Sequence, residues 1–254
     1  MEKLIVHNGT FHTDDVALTS FVRMSYPNIS VERRMPTEDE LDDPNIIVGD
    51  VGLRYDISNN NFDHHQDKEL PCAVVLYLTW YWDEYFDSID EFSLFKEVFL
   101  TSISLVDTTG MKIESNVPNL ISTINGFNLI DDGFDKAVDF MTLAIESTIA
   151  YVKQRLYTET RWFKLKTYNN IIKINDTSEN LSDWRVLAVR DEILCYVVPS
   201  NRNEGKYNII SRNTDEYVLP EHELLTFRHS SGFLAEINSD DLYEYLDFII
   251  SNTL

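Results

Sequence analysis

The sequence predicts an α/β protein: a mostly parallel sheet flanked by helices, followed by a smaller α+β C-terminal domain. Three observations carry this. Residues 3–6 (KLIV) and 45–48 (NIIV) are short apolar runs that each end at a polar group, as strands entering loops do. An amphipathic stretch over 16–24 lies between them, preceded by Thr13-Asp14-Asp15 and followed by Pro27, which are start and stop signals for a helix. A long helical pattern then begins after Gly133 and runs to about Thr160, a suitable bridge between two domains.

Taken in order, residues 29–33 alternate as a strand would, and the acidic stretch 37–43 reads as a short helix or a solvated loop. Strand, helix, strand, strand at this spacing favours parallel pairing. Helical patterns follow over 71–86 and 91–106. Beyond the bridge, segments 171–174, 184–189, 193–198 and 207–210 read as strands, and 240–250 as a closing helix. The expected division is a first domain at 1–133, a linking helix at 134–160 and a second domain at 161–254.

The charge is strongly asymmetric. The net charge is −22, and residues 1–150 carry 9 basic against 27 acidic side chains, whereas residues 151–254 carry 12 against 16. An acidic surface aids solubility, which accounts for much of this. It also repels phosphate, so a nucleic-acid substrate would need bound cations and the less acidic second half to offset it. No run approaches the roughly 18 apolar residues of a membrane span. The start, MEKLIVHNGT, lacks a basic region followed by a long apolar core, so no signal peptide is expected. Cys72 and Cys195 stand alone, which argues against a disulfide framework and makes the reducing cytoplasm the expected location.

The chemistry concentrates near the start of the chain. Both apolar runs lead to a potential ligand, His7 after LIV and Asp50 after IIVG, and functional groups gather at the carboxyl ends of strands in open α/β sheets. His12 and Asp14 lie two apart in the loop after the first run, and Asp63-His64-His65 forms a third polar group. Imidazole with carboxylate suits Mn²⁺, Zn²⁺ or Fe²⁺, while an all-oxygen shell would favour Mg²⁺. A carboxylate can bridge two metals about 3.5–4 Å apart, the arrangement that clamps both oxygens of a phosphoryl transfer. Each piece has a plainer reading: His7 as a strand-end residue, Asp14 and Asp15 as helix caps, Asp50 as a turn former. Their clustering favours metal, because four of the six histidines fall within residues 7–65 beside aspartates.

His7-Asn8-Gly9-Thr10-Phe11-His12-Thr13-Asp14-Asp15, Val48-Gly49-Asp50-Val51-Gly52 and Asn61-Phe62-Asp63-His64-His65-Gln66 resemble the melanocyte-proliferating-gene family. That family is a branch of the DHH phosphoesterases, with RecJ-type exonucleases and manganese pyrophosphatases as relatives. Asp183-Trp184-Arg185-Val186, Leu219-Pro220-Glu221 and Phe227-Arg228-His229-Ser230-Ser231-Gly232-Phe233 look like its later signatures. The resemblance implies a two-domain enzyme with a cleft between the domains and two divalent metal ions, Mn²⁺ foremost and Mg²⁺ second. It also implies 3′–5′ exonuclease action on RNA or short oligonucleotides, by water activated between the metals.

Carried over by position, His7, His12, Asp14, Asp50, His64 and Asp107 would be the metal ligands, with Asp50 bridging. His65 would face the scissile phosphate, Asp63 would orient it, and Arg228, His229 and Ser231 would contact substrate. The chain departs from the family at Thr108-Thr109-Gly110, where a second acidic residue is usual, and at Leu234-Ala235-Glu236, where small residues and glycines are usual. The second departure favours a smaller substrate, such as a dinucleotide, a nucleotide monophosphate or pyrophosphate, as the alternative. A non-catalytic metal-binding regulator is the third reading.

Overall fold

The computed structural model describes residues 1–112, 119–179 and 181–253. The chain divides into two compact units, Met1–Val152 and Lys153–Leu254.

The first unit is built on a five-stranded sheet. Its strands are β1 (Lys3–Val6), β2 (Ser30–Arg33), β3 (Ile46–Gly49), β4 (Tyr55–Asp56) and β5 (Asn61–Phe62), in the order β2-β1-β3-β5-β4. β2, β1, β3 and β5 run parallel, and only the edge strand β4 is antiparallel. β3, and β1 after its first residue Lys3, are apolar because both of their faces are covered, as in buried parallel sheets. Helix α1 (Thr13–Ser25) packs its buried stretch, including Leu18, Phe21 and Val22, into the core. The short α2 (Glu38–Leu41) is capped by Thr37, whose hydroxyl accepts the Glu40 amide.

The helical stretch expected over 71–86 is α3 (Ala73–Tyr81) followed by a 3₁₀ turn. That expected over 91–106 is α4 (Ile89–Phe95) and α5 (Thr101–Thr109), joined by a π-helical turn, Lys96–Leu100. One further helix, α6 (Leu120–Phe127), has no counterpart among the expected elements. The long helix is α7 (Gly133–Trp162), and the boundary between the units falls within it. Gly133 permits this start, because a Cβ there would lie 1.9 Å from the Phe127 carbonyl oxygen. Backbone cannot yield as a flexible side chain does. Gly133→Ala is therefore expected to destabilise the protein by about 1–3 kcal/mol, read from its thermal melt.

The second unit holds a six-stranded mixed sheet. It comprises β6 (Lys166–Tyr168), β7 (Ile172–Ile174), β8 (Cys195–Pro199), β9 (Lys206–Ser211), β10 (Leu225–Arg228) and β11 (Leu234–Asn238), in the order β10-β11-β9-β8-β7-β6. Only β7 and β8 pair in parallel. The segment 184–189, expected as a strand, is instead the helix α8 (Trp184–Arg190). Its buried residues, Trp184, Leu187 and Ala188, fall at i, i+3 and i+4, which is helical spacing and leaves no alternate face for a strand. They pack with Trp162 and Tyr196 on one face of the sheet. The closing helix, α9 (Leu242–Ser251), covers the other face through Leu242, Tyr245, Leu246 and Ile249.

Glu236 on β11 is buried beside Lys206, 3.0 Å away, and accepts hydrogen bonds from Asn203, Ser200 and Thr226. Led by the Asn203 bond, these partners hold its carboxyl down at about 2, against an ordinary 4.5. A depressed carboxyl stabilises the fold above its unfolded value and loses that contribution as pH falls through the folded one. Glu236→Gln should thus lower stability at neutral pH. The gap to wild type should close between about pH 4.5 and 2, as followed by urea denaturation across pH. Among the described residues, no helix is long and apolar enough to cross a membrane.

Candidate metal centre

Register places the first ligands. Val6 pairs with Gly49, and Gly49 with Phe62, so three neighbouring parallel strands end in one row. The next residues along the chain are His7, Asp50 and Asp63, side by side at the carboxyl edge of the sheet. Asp50 turns there with φ 58°, a left-handed conformation that aspartate tolerates better than most side chains. Its amide stays tied to the Phe62 carbonyl at 3.1 Å.

His64 and His65 follow Asp63 in the loop after β5, and three further groups come with the helices. His12 precedes α1, and Asp14 lies in its first turn. Both Asp14 oxygens accept backbone N–H bonds at 2.9 Å, from Ala73 and Val74, so the carboxylate of one helix caps the start of α3. Asp107 comes from the last turn of α5, with its Oδ2 3.0 Å from His64 Nε2. Among the described residues, ligand-type atoms converge in three groups, each within 4.8 Å: His7, His12 and Asp50; Asp14, Asp50, His64 and Asp107; and Asp50, His64 and His65. Asp50 belongs to all three. A cavity of about 240 Å³ adjoins them, lined in part by His12, Asp14, Asp107 and Asn125.

His65 is half exposed, with Nδ1 2.7 Å from Asp63 Oδ1 and 3.7 Å from Asp50. Asp63 is buried and fully engaged, accepting the Leu53 amide at 2.6 Å and the His65 amide at 3.1 Å. It fixes the ring by one nitrogen and leaves Nε2 of His65 as the other. One participant was not expected. Asp15 accepts the His12 amide through Oδ1, as a helix-start residue does, but its Oδ2 lies 3.0 Å from His7 Nε2. Its sequence signal is its adjacency to Asp14, for which helix capping alone is a sufficient account.

The electrostatics ask for cations. Burial, followed by the Asp50 and Asp107 charges, raises the Asp14 carboxyl well above its ordinary value, and burial raises Asp50 as well. The Asp15 carboxylate lifts His7 to about 9. Burial opposes charge on His64, yet the Asp107 and Asp50 carboxylates bring it to about 10. Buried carboxylates pressed together cost several kcal/mol each unless they are compensated. Among the described residues, His7 Nε2, Asp15 Oδ2, Asp50 Oδ1 and His64 Nε2 are buried and crowd one another and Asp107, yet none makes a hydrogen bond of regular geometry. A mixed imidazole and carboxylate set with unfilled buried atoms fits divalent first-row metals.

In the second unit, Arg228 Nε donates to the Leu219 carbonyl at 2.7 Å, and the guanidinium lies 3.6 Å from Glu221. His229 Nδ1 lies 2.9 Å from the Ser231 hydroxyl. Arg228 thus braces the turn around Gly232, where φ is +68° and a Cβ would meet Val218 at 2.4 Å.

The fold and site define a class: an α/β protein with clustered acidic and histidine groups that could hold metal ions at the ends of parallel strands. The family model MYG1_exonuc, described as an uncharacterised protein family (UPF0160), matches residues 3–70. That stretch spans β1 to β5 and carries His7, His12, Asp14, Asp50, Asp63, His64 and His65, whereas Asp107 and the second unit lie outside it. The family's name points to an exonuclease. No curated protein matches the chain.

Proposed function

We propose that this protein is a divalent-metal-dependent phosphoesterase of the DHH type, acting as a 3′–5′ exonuclease on RNA or short oligonucleotides. The observation that carries the proposal is Asp50, common to each group of ligand atoms at the end of the central strand. His7, His12 and Asp50 would hold one ion, and Asp14, Asp50, His64 and Asp107 a second, with Mn²⁺ the best match to the donor set. Bound there, divalent ions supply Lewis acidity toward a phosphoryl group and toward water.

The chain's own residues do the rest. Asp50 would serve both positions, and Asp15 and Asp63 orient His7 and His65. His65, held through Nδ1–H by the Asp63 carboxylate, would present Nε2 to the phosphate and, with that nitrogen also protonated, donate to the oxygens on which charge grows. His229 and Ser231 are proposed phosphate contacts in the second unit, with Arg228 bracing their loop.

The cavity of about 240 Å³ and the acidic first unit favour a second reading, hydrolysis of a small substrate such as a dinucleotide or pyrophosphate. Metal-stripped protein incubated with labelled short RNA, a dinucleotide and pyrophosphate, with and without Mn²⁺, separates the two. Mn²⁺-dependent release of mononucleotides from the 3′ end supports the first. Absence of turnover on all three substrates overturns both.

A further inference from the structure

The face of the second unit's sheet opposite α9 carries a groove to which no role is assigned above, although the ring of Phe233 at its end lies 4.5 Å from that of His229. Its volume is about 510 Å³, within the roughly 300–1,000 Å³ of small-molecule sites. Alternation along the strands builds it: Ala235 and Ile237 of β11 and Ile209 of β9 face α9, so Leu234, Glu236, Asn208 and Ile210 face the opposite way. Phe227 on β10 stands across from Glu236, and Phe233 closes the end of the groove. These two rings are 50% and 37% exposed, unusual for phenylalanines that line a concave surface. One wall is Arg185 of α8, and another is the Asn201-Arg202-Asn203 turn.

The chemistry of the groove is specific. Arg185 and Arg202 are exposed, and neither lies within ion-pairing distance of a carboxylate among the described residues, although the Arg185 guanidinium stacks 4.7 Å over the Trp184 ring. Glu236, the groove's one acid, is neutralised by Lys206 at 3.0 Å. The local balance is therefore cationic in a chain of net charge −22. Flat aromatic faces and guanidinium groups free of carboxylate partners together suit a ligand with planar bases and a phosphate backbone. An apolar peptide would leave the arginines without an anion, and a bare anion would make no use of the rings.

We infer that this groove binds the bases of single-stranded RNA, with Phe227 and Phe233 as stacking faces and Arg185 and Arg202 on the phosphates. The inference rests on the function proposed above for its ligand class, but its test needs no turnover. Fluorescein-labelled tetra-adenylate is titrated by anisotropy into full-length protein in EDTA, so that cleavage plays no part. Wild-type protein should bind it. Phe227→Ala should lose about 10-fold or more in affinity, and Phe227→Tyr should retain most of it. Arg202→Ala should also reduce the steepness with which affinity falls as salt rises, by about 0.7 in the log–log slope for one lost phosphate contact. Thermal melts establish that each variant is folded, and Phe227 is exposed enough for its removal to be tolerated.

Unlabelled tripolyphosphate is the competitor. Displacement at the same charge concentration as tetra-adenylate, or unchanged affinity in Phe227→Ala, would reduce the groove to an anion patch and overturn the inference. Absence of binding by the wild type would overturn it as well. Loss of Mn²⁺-dependent cleavage with binding intact would instead count against the metal-centre reading alone.

Discussion

Asp50→Asn is expected to lower divalent-metal affinity by more than about 100-fold, beyond the 10–100-fold typical of groups that only orient a ligand. The reason is its position in all three groups of ligand atoms, which no other residue shares. Calorimetric titration with Mn²⁺ reads this directly: two equivalents for the wild type, and one or none for the variant. Activity on the preferred substrate should fall with it. The metal-free variant should melt at the same temperature as the wild type or higher. Burial raises the Asp50 carboxyl, so its charge at neutral pH opposes folding, and a neutral amide of the same shape removes that opposition. Two equivalents at unchanged affinity in the variant would remove Asp50 from the centre of the site.

Phe62→Ala should carry the largest stability cost, about 3–5 kcal/mol, a large fraction of a typical folding free energy. Phe62 is fully buried on β5 and packs edge-on against Tyr77 at 5.4 Å and Tyr81 at 6.1 Å. It also stands two residues before His64, so a cavity there loosens the end of the strand that delivers the ligand. Urea denaturation measures the first effect, and Mn²⁺ affinity at a temperature where the variant remains folded measures the second. A loss below about 1 kcal/mol would mean that the core closes around the gap.

Much of the first unit was legible because its two central strands, β1 and β3, announce themselves: largely apolar, four residues long, each followed at once by a potential ligand. Parallel pairing then had to bring those ligands to one edge. What the sequence could not convey was how the ligands sort. His12 and Asp14, two residues apart, read as one pair. The turn into α1 sends His12 toward His7 and Asp14 toward His64 and Asp107. Asp15 was hidden by a sufficient local explanation, since a helix start accounts for an acidic residue without reference to His7.

In the second unit, WRVLAV alternates well enough to pass for a strand, and only tertiary packing selects the helix. Helix α6 was masked by Asn125-Gly126, a pair that reads as a turn. β10 and β11 lack a clean apolar alternation because their groove-facing positions are themselves mixed, with Phe227 and Leu234 beside Glu236.

The bond between Asp14 and the start of α3 bears on how this protein tolerates mutation. Cys72, which precedes that helix, offers no side-chain cap of its own, so two amide donors depend on a carboxylate 59 and 60 residues away. A substitution at position 14 therefore removes a candidate ligand and uncaps a buried helix in one step. In a variant library, loss of activity and loss of abundance would coincide there, whereas at Asp50 they would separate. Comparing the two positions distinguishes residues retained for chemistry alone from residues that the fold cannot release.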